Sequence, residues 1–207
     1  KKIKEAFLLF EKLYPFSNQI VLKKTQVLLI FDKAKQALKQ INNLPPSLDD
    51  DYLFTLSAVH SSLGQHQKAA NILNKMLEVN PNNEEIISNL AGEYQHLGNY
   101  FMSNNLIEQL LRMKYKNQVY WFTYILSTEL ENNISRSIHF IQDFIKTNPY
   151  DYEAWFYLGI AHKRNDDHLN ALEAYDYAIC IKEDYMHAYV NKAESLAKLG
   201  YYQNAID

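Results

Sequence analysis

Two stretches of the chain carry one pattern: NPNNEEIISNLAGEYQHLGNY (Asn80–Tyr100) and NPYDYEAWFYLGIAHKRNDDH (Asn148–His168). Each opens on Asn-Pro, passes through acidic residues into an apolar run with a small residue at its centre, and ends in a turn. The Asn-Pro pairs start 68 residues apart, which is twice 34. Extending that period gives units starting at Asp50, Glu84, Gln118, Tyr152 and Met186 with no insertion, the fifth reaching Asp207 after 22 residues. Self-similarity at such a period marks a repeat architecture, and it changes the meaning of every shorter motif.

The same chemistry returns at the same place in each unit. The seventh place holds Leu56, Leu90, Tyr124, Leu158 and Lys192, and the eighth holds Ser57, Ala91, Ile125, Gly159 and Ala193. Gly64, Gly98, Asn132, Asp166 and Gly200 stand at the fifteenth place. Ala69, Ser103, Ser137, Ala171 and Ala205 stand at the twentieth, and Pro81, Tyr115, Pro149 and Glu183 at the thirty-second. Apolar places four, seven, eight and eleven fall on one helical face. Small residues at places eight and twenty let two antiparallel helices approach. Gly, Asn or Asp at place fifteen tolerates the left-handed conformation that ends a helix, and proline near the end stops the second helix. A lone hairpin of this kind cannot bury its apolar face, so the units stack.

This pattern resembles the tetratricopeptide repeat, most clearly in Trp155, Leu158, Gly159, Ala171, Tyr175 and Ala178, and over Asp50 to Asp207 as a whole. The resemblance implies an all-α fold, a right-handed α-solenoid of stacked antiparallel helix hairpins. It divides the chain into repeats 50–83, 84–117, 118–151 and 152–185 with a partial repeat 186–207, in one continuous domain. Repeat 118–151 diverges, with Ile125, Ser137 and Asn132-Asn133 at the family's small and glycine places, so a slightly splayed hairpin is expected. The wording also looks like that of long, uncharacterised Bacteroidetes-type bacterial repeat proteins.

Residues 1–49 read as degenerate N-terminal helical repeats. Ala34, Leu38, Ile41 and Pro46 follow the second-helix spacing and Asn18–Ile30 suits a first helix, but no glycine turn separates them, so one long helix is an alternative. EAFLLFEKLY (5–14) reads as the second helix of a still earlier unit. Without an initiator Met and ending within a helical pattern, the chain reads as a piece of a longer array.

Bulk properties narrow the function. Five Gly and 5 Pro in 207 residues leave little room for all-β turns. A net charge of −3 argues against nucleic-acid binding, which needs a clustered basic face. The charge is uneven: residues 1–49 carry 9 Lys/Arg against 4 Asp/Glu, or +5, which leaves −8 for the rest. The single cysteine, Cys180, excludes an internal disulfide and reads as a small apolar filler of its helix. No apolar run approaches the roughly 18–20 residues of a membrane span, and Glu5, Glu11 and Lys12 interrupt any signal-peptide core. A reducing cytoplasm is the expected compartment.

The segment HKRNDDH (162–168) holds two histidines and two aspartates, a candidate metal cluster when read alone. Registration changes that. His162 and His168 take the eleventh and seventeenth places, which His60 and His66 take three units earlier, so all four read as aromatic-sized packing residues. Asp166 and Asp167 are turn and cap residues, and Lys163 and Arg164 repel a cation. Phosphate-cradling, nucleophile-elbow and zinc-protease motifs are missing from the sequence. The expectation is therefore a non-catalytic protein with no metal and no cofactor.

What remains is a surface. In the family that this chain resembles, first helices line a concave groove through places two, five, six, nine, twelve and thirteen. Here that implies a groove with Phe54, Ala58, Glu85, Asn89, Phe122, Thr123, Leu126, Phe156, Tyr157, Ile160, Arg164 and Asn191, aromatic and apolar with an acidic rim. Such a wall suits a protein or peptide presenting apolar anchors. The alternative for each aromatic is simple packing between neighbouring first helices. Asp51, Phe54, Thr55, Glu85 and Val119 stand where chaperone-type members carry the Lys and Arg that grip a terminal carboxylate, so that clamp is not expected. A second reading is a weakly self-associating structural module, in which the +5 and −8 segments attract head to tail.

Overall fold

The computed structural model describes residues 5, 18–47, 49–113 and 118–201. Tyr115, Ala205 and all but Glu5 of the 5–14 segment lie outside them. The described residues form α1 (Asn18–Ile30), α2 (Ala34–Ile41), α3 (Asp50–Ser62), α4 (His66–Val79), α5 (Glu84–His96), α6 (Tyr100–Arg112), α7 (Gln118–Leu130), α8 (Ile134–Thr147), α9 (Tyr152–Arg164), α10 (His168–Ile181) and α11 (Met186–Lys198), with no strand among them. The fold class is all-α, a solenoid of helical hairpins. By compactness the chain divides into two units, residues 1–99 and 100–207, which separates α5 from α6.

Local chemistry sets the helix ends. Asp49, Asn83, Asp151 and Asp167 each accept a backbone N–H of the first turn, at 2.9, 3.2, 3.1 and 3.3 Å, which starts α3, α5, α9 and α10. The acidic pairs Asp50-Asp51 and Glu84-Glu85 follow the first two caps, where the helix dipole favours them. Residue fifteen of each unit turns left-handed whatever its identity: φ is 70° at Gly64 and Gly98, 83° at Gly200, 57° at Asn132 and 59° at Asp166.

Asp32 shares that geometry, with φ 55°. It breaks residues 18–41 into two helices rather than one. It also sets their register. Five residues after each of the left-handed turns at 32, 64, 98, 132 and 166 comes a fully buried small side chain: Ala37, Ala69, Ser103, Ser137 and Ala171 are all at 0% exposure. Ala37, not Ala34, is thus the counterpart of Ala171. Thr25, seven residues before Asp32, takes the place of Ser57 and Gly159; it is buried and its hydroxyl donates to Val21 O at 2.8 Å.

In the first unit, Leu22, Ile41, Leu44 and Tyr52 form a core with Val21, Leu38, Leu53 and Leu56 packed on it. Leu73, Met76, Ile86, Ile87 and Leu90 continue the burial through α4 and α5. Asn74 Nδ2 donates to Tyr94 Oη at 3.0 Å across these two helices.

In the second unit, Trp121 packs edge-on to Phe144 and Tyr124 edge-on to Phe140, with centroids 5.2 Å apart in both pairs. Ile125 and Ile141 are fully buried in the same hairpin. Tyr124 Oη donates to Glu108 Oε1 at 2.5 Å, and Arg136 Nε donates to the same oxygen at 2.9 Å. Lys192 Nζ lies 2.6 Å from Asp176 two periods later, at places matching Tyr124 and Glu108. The seventh place therefore reaches back to the preceding second helix even where it is polar. Cys180 departs from expectation: it is exposed, because Ala178 takes the buried place on α10 and Cys180 falls on another face.

Candidate interaction surface

The first helices of the second unit, α7, α9 and α11, present the predicted wall, but its residues divide sharply by depth. Phe122 is 45% exposed, with Val119 exposed and Thr123 and Leu126 half-buried beside it on α7. Phe156, Tyr157 and Ile160 on α9 are buried, at 6–8% exposure. Phe156 sits edge-on to Tyr185 at 5.2 Å and close to His187, while Tyr157 stacks on Trp121 at 6.0 Å. These three side chains are thus consumed largely by packing within the unit. Burial, then the charge of Glu153, pushes the Tyr157 hydroxyl pKa up to about 12.

The adjacent cations Lys163 and Arg164 diverge. Arg164 pairs with Glu129 of α7 and lies over the Phe122 ring, 5.8 Å from its centroid. Lys163 Nζ turns to α11, 2.5 Å from Asn191 Oδ1 and 2.9 Å from Glu194 Oε2. Both reach this face, and both are neutralised there. Sequence reading sees one basic spot; the structure shows two ties joining three first helices.

In the first unit, Phe54 is half-buried and Ala58, Glu85 and Asn89 are exposed. Gln26 Nε2 donates to Thr55 Oγ1 at 3.1 Å, between the first helices α1 and α3.

The histidines follow their register in part. His60 Nδ1 lies 2.8 Å from Gln65 Oε1, and His162 Nδ1 lies 3.1 Å from Asp167 Oδ2, the same five-residue reach. His66 pairs with the buried Glu93 at 2.8 Å, and His96 stacks on it at 4.4 Å. The matching partner of His168 is Ser195, whose side chain is too short for that bond, and His168 Nε2 instead lies 3.4 Å from Asp166. Registration put His60 and His162 at one place of the repeat but gave no signal of their bonds, nor did the exposed His96 of its stacking on His66. Among the described residues, no group of three or more His, Cys, Asp or Glu is placed to hold a metal ion. No helix among them is long and apolar enough to cross a membrane.

Hairpins joined by left-handed turns, with a small buried residue five positions on, define a tetratricopeptide-repeat protein. The chain belongs to the family described as the Psidin N-terminal TPR repeats region, matched over residues 1–143. Among solved structures it is similar to the C-terminal part of a TPR repeat-containing protein from Cytophaga hutchinsonii (TM-score 0.69, 14% identity, 97% of this chain and 81% of that one). It is also similar to a tetratricopeptide repeat protein from Parabacteroides merdae (TM-score 0.57, 16% identity, 97% and 80%). A third likeness is to MamA, residues 41 to the end, from Desulfovibrio magneticus (TM-score 0.51, 13% identity, 77% and 92%). At these identities the likeness is one of fold alone. No curated protein matches the sequence.

Proposed function

We propose that the chain is a non-catalytic scaffold that binds a segment of a partner protein on the first-helix face of its second unit. The carrying observation is the exposed apolar strip on α7. Val119, Phe122 and Leu130 are 63%, 45% and 61% exposed, beside Leu126, and Val190, at the Phe122 place of α11, is exposed as well. The buried Phe156, Tyr157 and Ile160 stiffen the helix between them. Apolar anchors of a peptide or helix bury against such a strip, and a few polar groups such as Asn191 and Thr123 orient the backbone. The single cysteine suits a reducing, cytoplasmic setting.

Crosslinked capture from the source cell, with the wild type and Phe122→Ala/Leu126→Ala side by side, tests this reading. The double variant is expected to lose a partner that the wild type retains. Equal capture by both removes this face from the proposal.

The uneven charge, +5 over residues 1–49 against −8 beyond, supports a second reading of weak head-to-tail self-association. Sedimentation at low and high salt separates it from the first. A dimer that dissociates as salt rises favours self-association, and a monomer at every concentration counts against it.

A further inference from the structure

Beside the first turn of α9 lies a cleft of about 520 Å3, a volume within the range of ligand sites. Its walls are aromatic: Trp121, Phe144, Tyr150 and Tyr152 line it. Its carboxylates are Asp151 and Glu153, and no lysine, arginine or histidine among the described residues lines it. Neutral donors hold both carboxylates in place. Asp151 Oδ1 accepts Ala154 N–H at 3.1 Å as the cap of α9, and Glu153 Oε1 accepts Gln118 Nε2 at 2.9 Å. Neither of those bonds cancels the negative charge.

A second observation shows what this chemistry accepts. Lys182 Nζ lies over the Tyr152 ring, 4.5 Å from its centroid, and 5.6 Å from that of Tyr185. An aromatic wall of the cleft therefore already carries a cation. Elsewhere on the same unit, Lys163 and Arg164 are paired with Glu194 and Glu129, whereas no cation is paired with the two carboxylates of the cleft among the described residues. The charge complementarity runs towards a basic partner.

We infer that this cleft receives an arginine side chain of the partner segment, its guanidinium stacked on the aromatic walls and its N–H groups on Asp151 and Glu153. Arginine fits better than lysine because its flat group stacks on rings and presents several donors to two carboxylates at once. The inference rests on the reading that this unit binds a protein segment, and it names that segment's chemistry.

The test uses the whole chain and two small probes, N-acetyl-argininamide and its uncharged isostere N-acetyl-citrullinamide. Trp121 and Trp155 give two indole signals in a nitrogen–proton NMR spectrum, assigned with Trp121→Phe. Titration with the arginine amide is expected to shift the Trp121 signal saturably, at a midpoint at least tenfold below that of the citrulline amide. Added salt is expected to weaken the response. Asp151→Asn/Glu153→Gln, which keeps the cap and the Gln118 contact, is expected to abolish the preference while far-ultraviolet circular dichroism stays unchanged. Equal response to both amides, or an undiminished preference in the double variant, overturns the inference. Partner capture through Phe122 and Leu126 is measured separately, so loss of one result leaves the other standing.

Discussion

Tyr175 lies directly against Gly159: a methyl group on that glycine would fall 2.3 Å from Tyr175 Cε1 and 2.6 Å from Cδ1. The pair holds α9 and α10 together, with Tyr175 fully buried. At the matching places other hairpins bury different residues, Ser57 and Leu73 or Ile125 and Ile141, so a larger residue at one place goes with a smaller ring-free one at the other. Gly159→Ala is expected to lose about 1–3 kcal/mol by overpacking. Gly159→Ala/Tyr175→Leu is expected to lose less than the two single changes together. Urea unfolding of the four chains checks both statements; additive losses would show that the two places do not share one space.

Phe156 and Phe122 occupy the same place in successive repeats but different depths. Phe156→Ala removes a buried ring and is expected to cost about 3–5 kcal/mol. Phe122→Ala removes an exposed one and is expected to stay within about 0.5 kcal/mol. Unfolding midpoints for the two variants settle the contrast. Only Phe122 is therefore a clean probe of binding, since loss of Phe156 would weaken capture through the fold.

Asn132 turns left-handed at φ 57° where three other repeats use glycine. Asn132→Gly is expected to gain stability, by up to about 1 kcal/mol, because the Cβ penalty disappears. Gly64→Ala imposes that penalty at an open position and is expected to lose about 1 kcal/mol. Thermal melts of both variants read the two signs.

Four tyrosines resist ionisation in the folded chain. Burial raises Tyr124, Tyr157, Tyr175 and Tyr185, assisted by the charges of Glu108, of Glu153, of Glu194 and of neighbouring tyrosines with Glu153 respectively. Above a pH of 10 the unfolded chain releases these protons and the folded chain keeps them, so stability falls as pH rises. Their contribution is fully present below pH 10 and declines through about 12, the value reached by Tyr157. Tyrosinate absorbance is expected to grow together with the loss of helical signal. Complete tyrosine ionisation in a chain still fully helical would contradict this.

Much of this architecture was legible in residue order. The 34-residue period located Gly64, Gly98, Asn132 and Asp166 as left-handed turns and Ala171 and Gly159 as small residues of the hairpin, because backbone conformation and side-chain size are local properties. The first hairpin was legible only in outline. Asp32 gives little signal as a turn, and without it Ala34 and Ala37 fit the second-helix spacing almost equally well.

The resemblance to the repeat family also named the candidate face, which it implies through Phe122, Phe156 and Ile160. It did not rank them by depth. That ranking came from neighbours distant in sequence: Tyr185 and His187 cover Phe156, whereas Arg164 lies over Phe122 without burying it. Likewise, adjacent Lys163 and Arg164 read as one basic spot until Glu194 and Glu129 draw them to opposite helices. Repetition specifies which way a side chain faces. How much of it water reaches, and which charge it meets, depends on the side chains of the next hairpin, and these differ from repeat to repeat.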